Sequence, residues 1–301
     1  MKYLRKAVTA FLLVTTAFTL SATTWTPATW RGESAYAAVS DTGDWHAIVS
    51  VERGRLVHFG VTDDAADNLI LATPTRDDPV GWGGHRVWLG PQREWPRGWP
   101  PPDAWEHSSA VPEVEGNTLV LTPPATGHDW PDLARTYRWD GDRLLCGVRV
   151  SGPARAVQVI QIIQFPATAT VLVTPEVSDD APSGYVLLPF YARNSFLKEF
   201  TSPATVETEG ERILIRHGDE PLKFGFTPRA LRSLQQNVTL TVAPESLTGE
   251  PAGELNQGYY TEVFLGGREP FIELEQLSPP LNPASPQREF VISIAGAKSN
   301  N

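Results

Sequence analysis

Short apolar runs separated by turn residues fill most of this 301-residue sequence. The runs are rich in Val, Ile, Thr and aromatic residues, and Gly, Pro, Asn and Asp lie between them, which is typical of β-strands joined by tight turns. Glu52-Arg53-Gly54 and Asp140-Gly141-Asp142 are the clearest hairpin signals, because each lies between two such runs. The pattern predicts about fourteen strands, and we therefore expect an all-β protein built as one large antiparallel β-sandwich.

One segment has the signals of a helix. Thr227 and Pro228 combine a residue suited to an N-cap with a proline suited to the first helical turn. We expect a short helix over residues 227–236, and this is the only helix that the sequence predicts.

The N-terminus has the composition of an export signal. Basic residues precede the apolar stretch Ala7–Ala22, and Ala35-Tyr36-Ala37 offers the small residues that a signal peptidase requires. We expect residues 1–37 to be a signal peptide, with Ala22 as the alternative cleavage site, and residues 38–301 to form a single domain. A retained membrane anchor is the less favoured alternative, because the apolar stretch is short and rich in Thr. The expected location is therefore periplasmic or extracellular.

Composition narrows the partners and the chemistry. A net charge of −10 disfavours nucleic acid and anionic membranes as partners, so no stable membrane association is expected after cleavage. The sequence contains no phosphate-binding loop, nucleophile elbow or zinc-ligand spacing, and we expect neither a metal nor a cofactor. Cys146 is the single cysteine, so it cannot form an internal disulfide, and its strand-like surroundings predict a core position.

Tryptophan is concentrated in one stretch. Five of the ten tryptophans lie between Gly81 and Ser108, together with several prolines and two histidines. Because prolines disrupt a regular strand, we expect a rigid, irregular segment that folds over one face of a sheet. Flat indole rings beside acids and guanidinium groups would suit a sugar, so the rings are interpreted as the wall of a pocket. The alternative is that they only plug one end of the sandwich.

Histidines and late carboxylates are the candidates for acid–base chemistry. His85 is favoured because the glycines before it would let a ligand approach, and His128 lies in a second loop that contains Trp. Glu262 interrupts an apolar strand, whereas Glu273 and Glu275 share one face of the next strand. We expect His85 to face one of these glutamates across a pocket. The alternative for Glu273 and Glu275 is a solvated face.

Two parts of the sequence resemble a known group of proteins. Residues 83–92, Gly-Gly-His-Arg-Val-Trp-Leu-Gly-Pro-Gln, followed by Trp99 and three prolines, are similar to an uncharacterised bacterial family of the galactose-mutarotase-like β-supersandwich group. The strands that carry Glu262 and residues 271–275 resemble the C-terminal strands of the same family. The resemblance implies a β-supersandwich. In mutarotases a histidine protonates the ring oxygen and a late glutamate takes the proton of the anomeric hydroxyl, and these roles would fall on His85 and Glu262.

The sequence therefore predicts an exported carbohydrate-binding protein, and aldose 1-epimerase-like chemistry is a further hypothesis. The mutarotases' own Asn-Arg and His-Gly-Gly motifs are absent from the sequence. A binding protein without catalysis and a structural or interaction protein are the alternatives, and the sugar and the oligomeric state are left open. The residues predicted to bind the substrate are Arg86, Trp88, Gln92, Trp99, His128, Glu273 and Glu275.

Overall fold

The computed structural model describes residues 23–73, 83–96, 100–127, 129–153, 155–179, 181–188, 205–227, 230–235, 237–245, 259–282, 284 and 288–298. Within these ranges the chain forms twenty strands and one short α-helix. Every strand pair is antiparallel. The predicted all-β antiparallel sandwich is therefore confirmed.

The elements in the first half of the chain are β1 Thr26–Trp30, β2 Glu33–Val39, β3 His46–Ser50, β4 Arg55–Gly60, β5 His85–Gly90, α1 Asp103–Glu106, β6 Val111–Glu115, β7 Thr118–Thr122, β8 Asp132–Asp140, β9 Arg143–Ser151 and β10 Gln158–Pro166. Those in the second half are β11 Thr170–Val173, β12 Val186–Leu187, β13 Val206–Glu209, β14 Arg212–Arg216, β15 Pro221–Phe226, β16 Leu231–Gln235, β17 Val238–Pro244, β18 Thr261–Gly266, β19 Phe271–Leu277 and β20 Glu289–Lys298. They form three sheets.

The smallest sheet has the order β1-β2-β3-β4, the second β12-β15-β18-β19-β10-β5, and the third β13-β14-β11-β16-β17-β20-β9-β8-β7-β6. The six-stranded and ten-stranded sheets face each other. Gln161 on β10 donates from Nε2 to the carbonyl oxygen of Phe290 on β20 at 3.0 Å. Val159 and Ile163 lie on the same side of β10 as Gln161 and are fully buried in the core between the sheets. The opposite side of β10 belongs to the face of the six-stranded sheet that points away from the ten-stranded sheet. We call it the outer face, and its residues Ile160, Ile162 and Gln164 are fully buried as well.

The folded domain begins before the predicted boundary at residues 37 and 38. The second strand, Glu33–Val39, crosses this boundary and pairs with both β1 and β3. Trp25 is buried in the main core and donates from Nε1 to the carbonyl oxygen of Tyr137 at 2.9 Å. Cleavage after Ala37 would remove β1 and divide β2. Residues 1–22 lie outside the described residues, and export itself stays a prediction.

The predicted helix over residues 227–236 is wrong. Leu231–Gln235 is a strand that pairs with β11 on one side and β17 on the other. Leu231 and Ser233 are buried while Arg232 is exposed, so a period of two overrides the local capping signal. Pairing on both sides provides backbone hydrogen bonds along this strand. These bonds outweigh the weak preference of Thr227 and Pro228 for the start of a helix.

The tryptophan stretch is more regular than predicted. It contains strand β5, which pairs with β10 at the edge of the six-stranded sheet, and the helix α1. The prolines are compatible with this because Pro91 follows the strand and Pro102 precedes the helix. Among the described residues, no helix is both long and apolar enough to cross a membrane.

Candidate functional site

Strand register gathers polar residues on the outer face of the six-stranded sheet. Ile162 on β10 lies opposite Arg86 on one side and Glu275 on the other. Glu275 in turn lies opposite Glu262 on β18. Directly opposed residues, and residues two apart on one strand, share a face. We use the name polar face for the set that follows from this rule: Arg86, Gln164, Lys223, Glu262, Glu273 and Glu275.

Two sets of ion pairs and hydrogen bonds connect the residues of the polar face. Lys223 Nζ lies 2.6 Å from Oε2 of Glu262 and 3.1 Å from Oε2 of Glu275. Arg86 Nη1 lies 2.7 Å from Oε1 of Glu273, and Gln164 Nε2 donates to the same oxygen at 2.8 Å. Buried charges require such partners, because an isolated ion loses its hydration without compensation.

Glu106 extends this network from α1. Its Oε1 accepts from Nε of Arg86 at 2.9 Å and lies 3.3 Å from Nη1 of Arg55, while its Oε2 accepts from Nε1 of Trp88 at 2.8 Å. Burial opposes ionisation of Glu106, but the charges of Arg55 and Arg86 and the Trp88 hydrogen bond outweigh it and lower the pKa to about 2. Glu106 is therefore a permanent carboxylate that holds Arg86 in place.

Two carboxyl groups of the polar face titrate near neutrality. Burial is the main cause that raises the pKa of Glu262 to about 7, and the charge of Glu275 adds to it, against the opposing effect of Lys223. Burial and Glu275 likewise raise the pKa of Glu273 to about 7, against Arg86 and the Gln164 hydrogen bond. Near neutral pH one such group can accept a proton while the other donates one.

His85 does not belong to the polar face. It neighbours Arg86 on β5, so its side chain points to the opposite side, into the core between the two large sheets. Its Nδ1 lies 3.2 Å from the hydroxyl of Tyr137 and its Nε2 lies 2.9 Å from Oε1 of Gln161. Burial, with the charge of Arg135, lowers the pKa of His85 to about 3. The prediction that His85 faces a late glutamate is therefore wrong, and a fully buried neutral imidazole is not the acid of this site.

The glycines before His85 have a structural reason. Gly83 and Gly84 have positive φ angles of 68° and 73°. A Cβ at Gly83 would lie 2.4 Å from the carbonyl oxygen of Leu71, and one at Gly84 would lie 2.2 Å from that of Leu56. The space beside them is filled by backbone rather than open to a ligand, so only glycine fits both positions.

The described tryptophans of the stretch pack against one another. Trp88 meets Trp95, Trp95 meets Trp105, and Trp105 meets Trp130 edge to face, with centroid distances of 5.6, 6.3 and 5.4 Å. Trp88 is only 3% exposed, and the guanidinium of Arg86 lies 4.6 Å from its ring centroid. For these rings the packing alternative is correct, and Trp88 is not an open stacking surface.

The remaining predicted residues have separate positions. Gln92 is half-buried in the 3-10 turn Gln92–Glu94, beyond the end of β5. Trp99 and His128 lie outside the described residues. The structure thus brings together Arg86, Glu262, Glu273 and Glu275 on a face that excludes His85, and Glu273 and Glu275 share that face as the alternation in the sequence predicted.

Sequence reasoning missed three residues of the network. Lys223 and Gln164 lie in apolar, strand-like runs of the sequence, and the alternation of each with the phenylalanine that follows it would have placed it on the polar side of its strand. Glu106 lies among the tryptophans of the sequence, and nothing in the sequence connects it to Arg86. Among the described residues, no group of three or more His, Cys, Asp or Glu side chains is arranged to hold a metal ion.

A separate cleft of about 670 Å³ lies beside the hairpin of β13 and β14. Tyr185 and Arg212 are among its lining residues, and none of the predicted site residues lines it. The polar face, rather than this cleft, carries the predicted late acids and the carboxyl groups whose pKa values are raised.

Comparison with known proteins supports the fold. No protein-family model and no curated protein matches the sequence. Among solved structures, the Slr1438 protein from Synechocystis sp. PCC 6803 is similar, with 13% identity, 91% of this chain and 98% of that chain covered, and a TM-score of 0.54. A provisionally assigned aldose 1-epimerase from Escherichia coli K12 is also similar, with 12% identity, 85% and 97% coverage, and a TM-score of 0.51. The chain therefore shares the fold of these two solved structures, a large antiparallel β-sandwich, and this agrees with the fold that the sequence resemblance implied.

Proposed function

We propose that this protein binds a carbohydrate on the polar face and catalyses aldose 1-epimerase-like ring opening with Glu262 as the base. The observation that carries the proposal is the presence of two carboxyl groups, Glu262 and Glu273, with pKa values of about 7 on one face of one sheet. The fold is shared with a protein provisionally assigned as an aldose 1-epimerase, which supports a sugar as the substrate but does not by itself assign one.

The chemistry requires two proton transfers on one substrate. The Glu262 carboxylate takes the proton of the anomeric hydroxyl, and the electron pair of that O–H bond forms the carbonyl at C1. The bond between C1 and the ring oxygen breaks, and the ring oxygen receives the proton of the Glu273 carboxylic acid. Closure on the other face of the carbonyl, with the transfers reversed, gives the second anomer. A base and an acid with pKa values near the working pH suit both directions of this exchange.

The remaining groups of the polar face position these two carboxyls. Lys223 contacts both Glu262 and Glu275, so its positive charge favours the ionised form of Glu262. Arg86 is held from two sides, by Glu106 and by Glu273. Rigid support of this kind keeps reacting groups in place without a cost at the moment of reaction.

A non-catalytic sugar-binding protein is the second candidate. The observation that favours it is burial: Lys223, the most exposed member of the polar face, is 8% exposed, and Glu262 is 0% exposed. In that case the ion network would stabilise the sheet, and a sugar would contact only the small exposed parts of Arg86, Lys223, Glu273 and Glu275.

Polarimetry separates the two candidates. We expect the protein to accelerate the mutarotation of α-D-glucose or α-D-galactose above the buffer rate, and we expect Glu262→Gln to abolish that acceleration while changing sugar affinity much less, since a base acts mainly in the transition state. Glu207→Gln is the matched control, because Glu207 lies on the ten-stranded sheet in an exposed ion pair with Arg216. A folded wild-type protein that binds the sugar without acceleration would leave only the binding function.

A further inference from the structure

We propose that the polar face selects sugars that carry a protonated amine over neutral and anionic sugars. This inference rests on the proposed function, because it names the substrate class of the same site. Three observations support it: the uneven distribution of charge on this face, a buried acceptor without a donor, and the engagement of both cations, Arg86 and Lys223, by carboxylates.

Charge is unevenly distributed along the network. At the Glu106 end, one carboxylate is shared by the guanidinium groups of Arg55 and Arg86. At the other end lie three carboxyl groups: those of Glu262, Glu273 and Glu275. Among the described residues, Lys223 is the one cation with ion pairs only at this end, since Arg86 is shared with Glu106. We refer to this second end as the acid-rich half.

The shortage of positive charge has a consequence for protonation. With every group ionised, the described residues of the acid-rich half include more carboxylates than cations, and nearby like charges disfavour ionisation. Both Glu262 and Glu273 accordingly have a raised pKa, mainly through burial, and the charge of Glu275 contributes to each. A proton, or a ligand cation in its place, relieves this repulsion. A compact ammonium with three N–H donors is the cation that matches several carboxylate oxygens.

An unpaired acceptor lies beside the same carboxyls. Gln164 is 0% exposed and donates from Nε2 to Glu273, which orients its Oε1 away from that contact. Among the described residues this Oε1 has no hydrogen-bond partner. A buried carbonyl oxygen without a donor is costly, so a donor from a ligand would be favourable here.

Anionic sugars are disfavoured by the same arrangement. Arg86 and Lys223 are both engaged by carboxylates, at 2.7 Å and 2.6 Å. A phosphate or carboxylate on the sugar would have to displace a glutamate from one of them and would meet the remaining acids. Like charges brought together in a site of low dielectric cost more than the same pair in water.

Calorimetric titration at pH 6.5, with nuclear magnetic resonance for weak binders, tests the proposal. The ligands are D-glucosamine, N-acetyl-D-glucosamine, D-glucose and D-glucose 6-phosphate, with D-galactosamine and D-galactose as a second pair. We expect the amines to bind about tenfold tighter than the parent sugars, and the N-acetyl form, which lacks the charge, to lose this advantage. The phosphate should bind most weakly.

Variants show whether the acid-rich half causes the preference. Glu273→Gln, checked for folding by circular dichroism, should reduce the ratio of amine to neutral affinity to about one, whereas Glu207→Gln should leave it unchanged. Equal binding of D-glucosamine and D-glucose by the wild type would overturn the amine preference and leave the proposed sugar site standing. Absence of binding for all six ligands would overturn both.

Discussion

His85 and Arg86 are neighbours on β5, but their side chains lie on opposite faces of the sheet. One face belongs to the core, and the other carries the charged groups of the candidate site. Arg86 lies on the polar face between Glu106 and Glu273, while His85 lies between the sheets against Tyr137 and Gln161. The sequence identified both residues as candidates, because a His-Arg pair in a Gly-rich context is chemically suggestive. It could not show which of the two the strand directs inward, since that depends on which side of β5 the second sheet covers.

The buried state of His85 predicts a pH dependence of stability. Its pKa is lowered from 6.5 to about 3, so below about pH 6.5 the unfolded chain binds a proton on this residue that the folded chain does not bind. The free energy of unfolding should therefore fall with decreasing pH, by about 1.4 kcal/mol per unit between pH 6 and pH 4 from this residue alone. Urea unfolding of the wild type and of His85→Gln measures it. The difference between the free energies of unfolding of the two proteins should change with pH by this amount.

Other groups do not obscure that comparison. Glu262 and Glu273 have raised pKa values, so they contribute in the opposite direction: they favour the folded state at low pH, and this contribution is lost as pH rises through about 7. Because both proteins keep these glutamates, their contributions cancel in the difference. Parallel curves for wild type and variant would show that folding does not lower the pKa of His85.

The helix α1 is the element that connects the tryptophan stretch to the polar face. It places Glu106 against Arg86, Arg55 and Trp88, while Trp105 packs between Trp95 and Trp130. Four helical residues cannot be stable alone, because nucleation of a helix is costly. The ion pairs and the buried indole must therefore maintain α1, and the sequence showed the rings without showing their partner charges.

Removal of the Glu106 charge should consequently destabilise the fold. Glu106→Gln leaves the side chain's size but deprives the buried guanidinium groups of Arg55 and Arg86 of a carboxylate, and we expect a loss of about 3 kcal/mol in the free energy of unfolding. Glu94→Gln is the control, because Glu94 forms ion pairs at the surface with Arg93 and Arg155 and should cost less than about 1 kcal/mol. Chemical denaturation measures both. A similar small loss in the two variants would show that Glu106 does not compensate the buried cations.

Strands were predictable where the pattern was local. Arg143–Ser151 and Phe271–Leu277 follow apolar runs that turn residues bound in the sequence, and the alternation of Glu273 and Glu275 with apolar residues placed both acids on one face. Leu231–Gln235 was missed because Thr227 and Pro228 mimic a helix start, and β5 because prolines flank it. In each case the deciding contacts come from strands far away in the sequence, which local propensity does not contain.

At the scale of the whole molecule, the sandwich and the late acids were predictable, but the composition of the site was not. Glu262, Glu273 and Glu275 lie within 14 residues of one another, so a single hairpin brings them together. Arg86, Glu106 and Lys223 come from three further parts of the chain and meet these acids only through the order of strands in the sheet. The order of strands depends on tertiary contacts, and a single sequence does not show which strands pair with each other.

The same tertiary view changes the predicted site of cleavage. Strands β1 and β2 complete the four-stranded sheet, and Glu33 on β2 pairs with Arg53, whose side chain is only 1% exposed, at 2.6 Å. Cleavage after Ala37 would leave Arg53 without that carboxylate and would remove Trp25 and Trp30 from buried positions. We therefore propose that export, if the apolar N-terminus directs it, ends with cleavage after Ala22, which keeps every described strand.

Expression of the full chain in a host with a secretory pathway tests this directly. Intact-mass measurement of the exported protein should give a chain that starts at Thr23, and a truncated protein that starts at residue 23 should fold with the wild-type circular dichroism. A chain that starts at residue 38 should be less stable by several kcal/mol, because it lacks β1, most of β2 and two buried indole rings and deprives the buried guanidinium of Arg53 of the Glu33 carboxylate. Recovery of an exported protein that begins at Ala38 and unfolds like the longer form would show that β1 and the first half of β2 are dispensable.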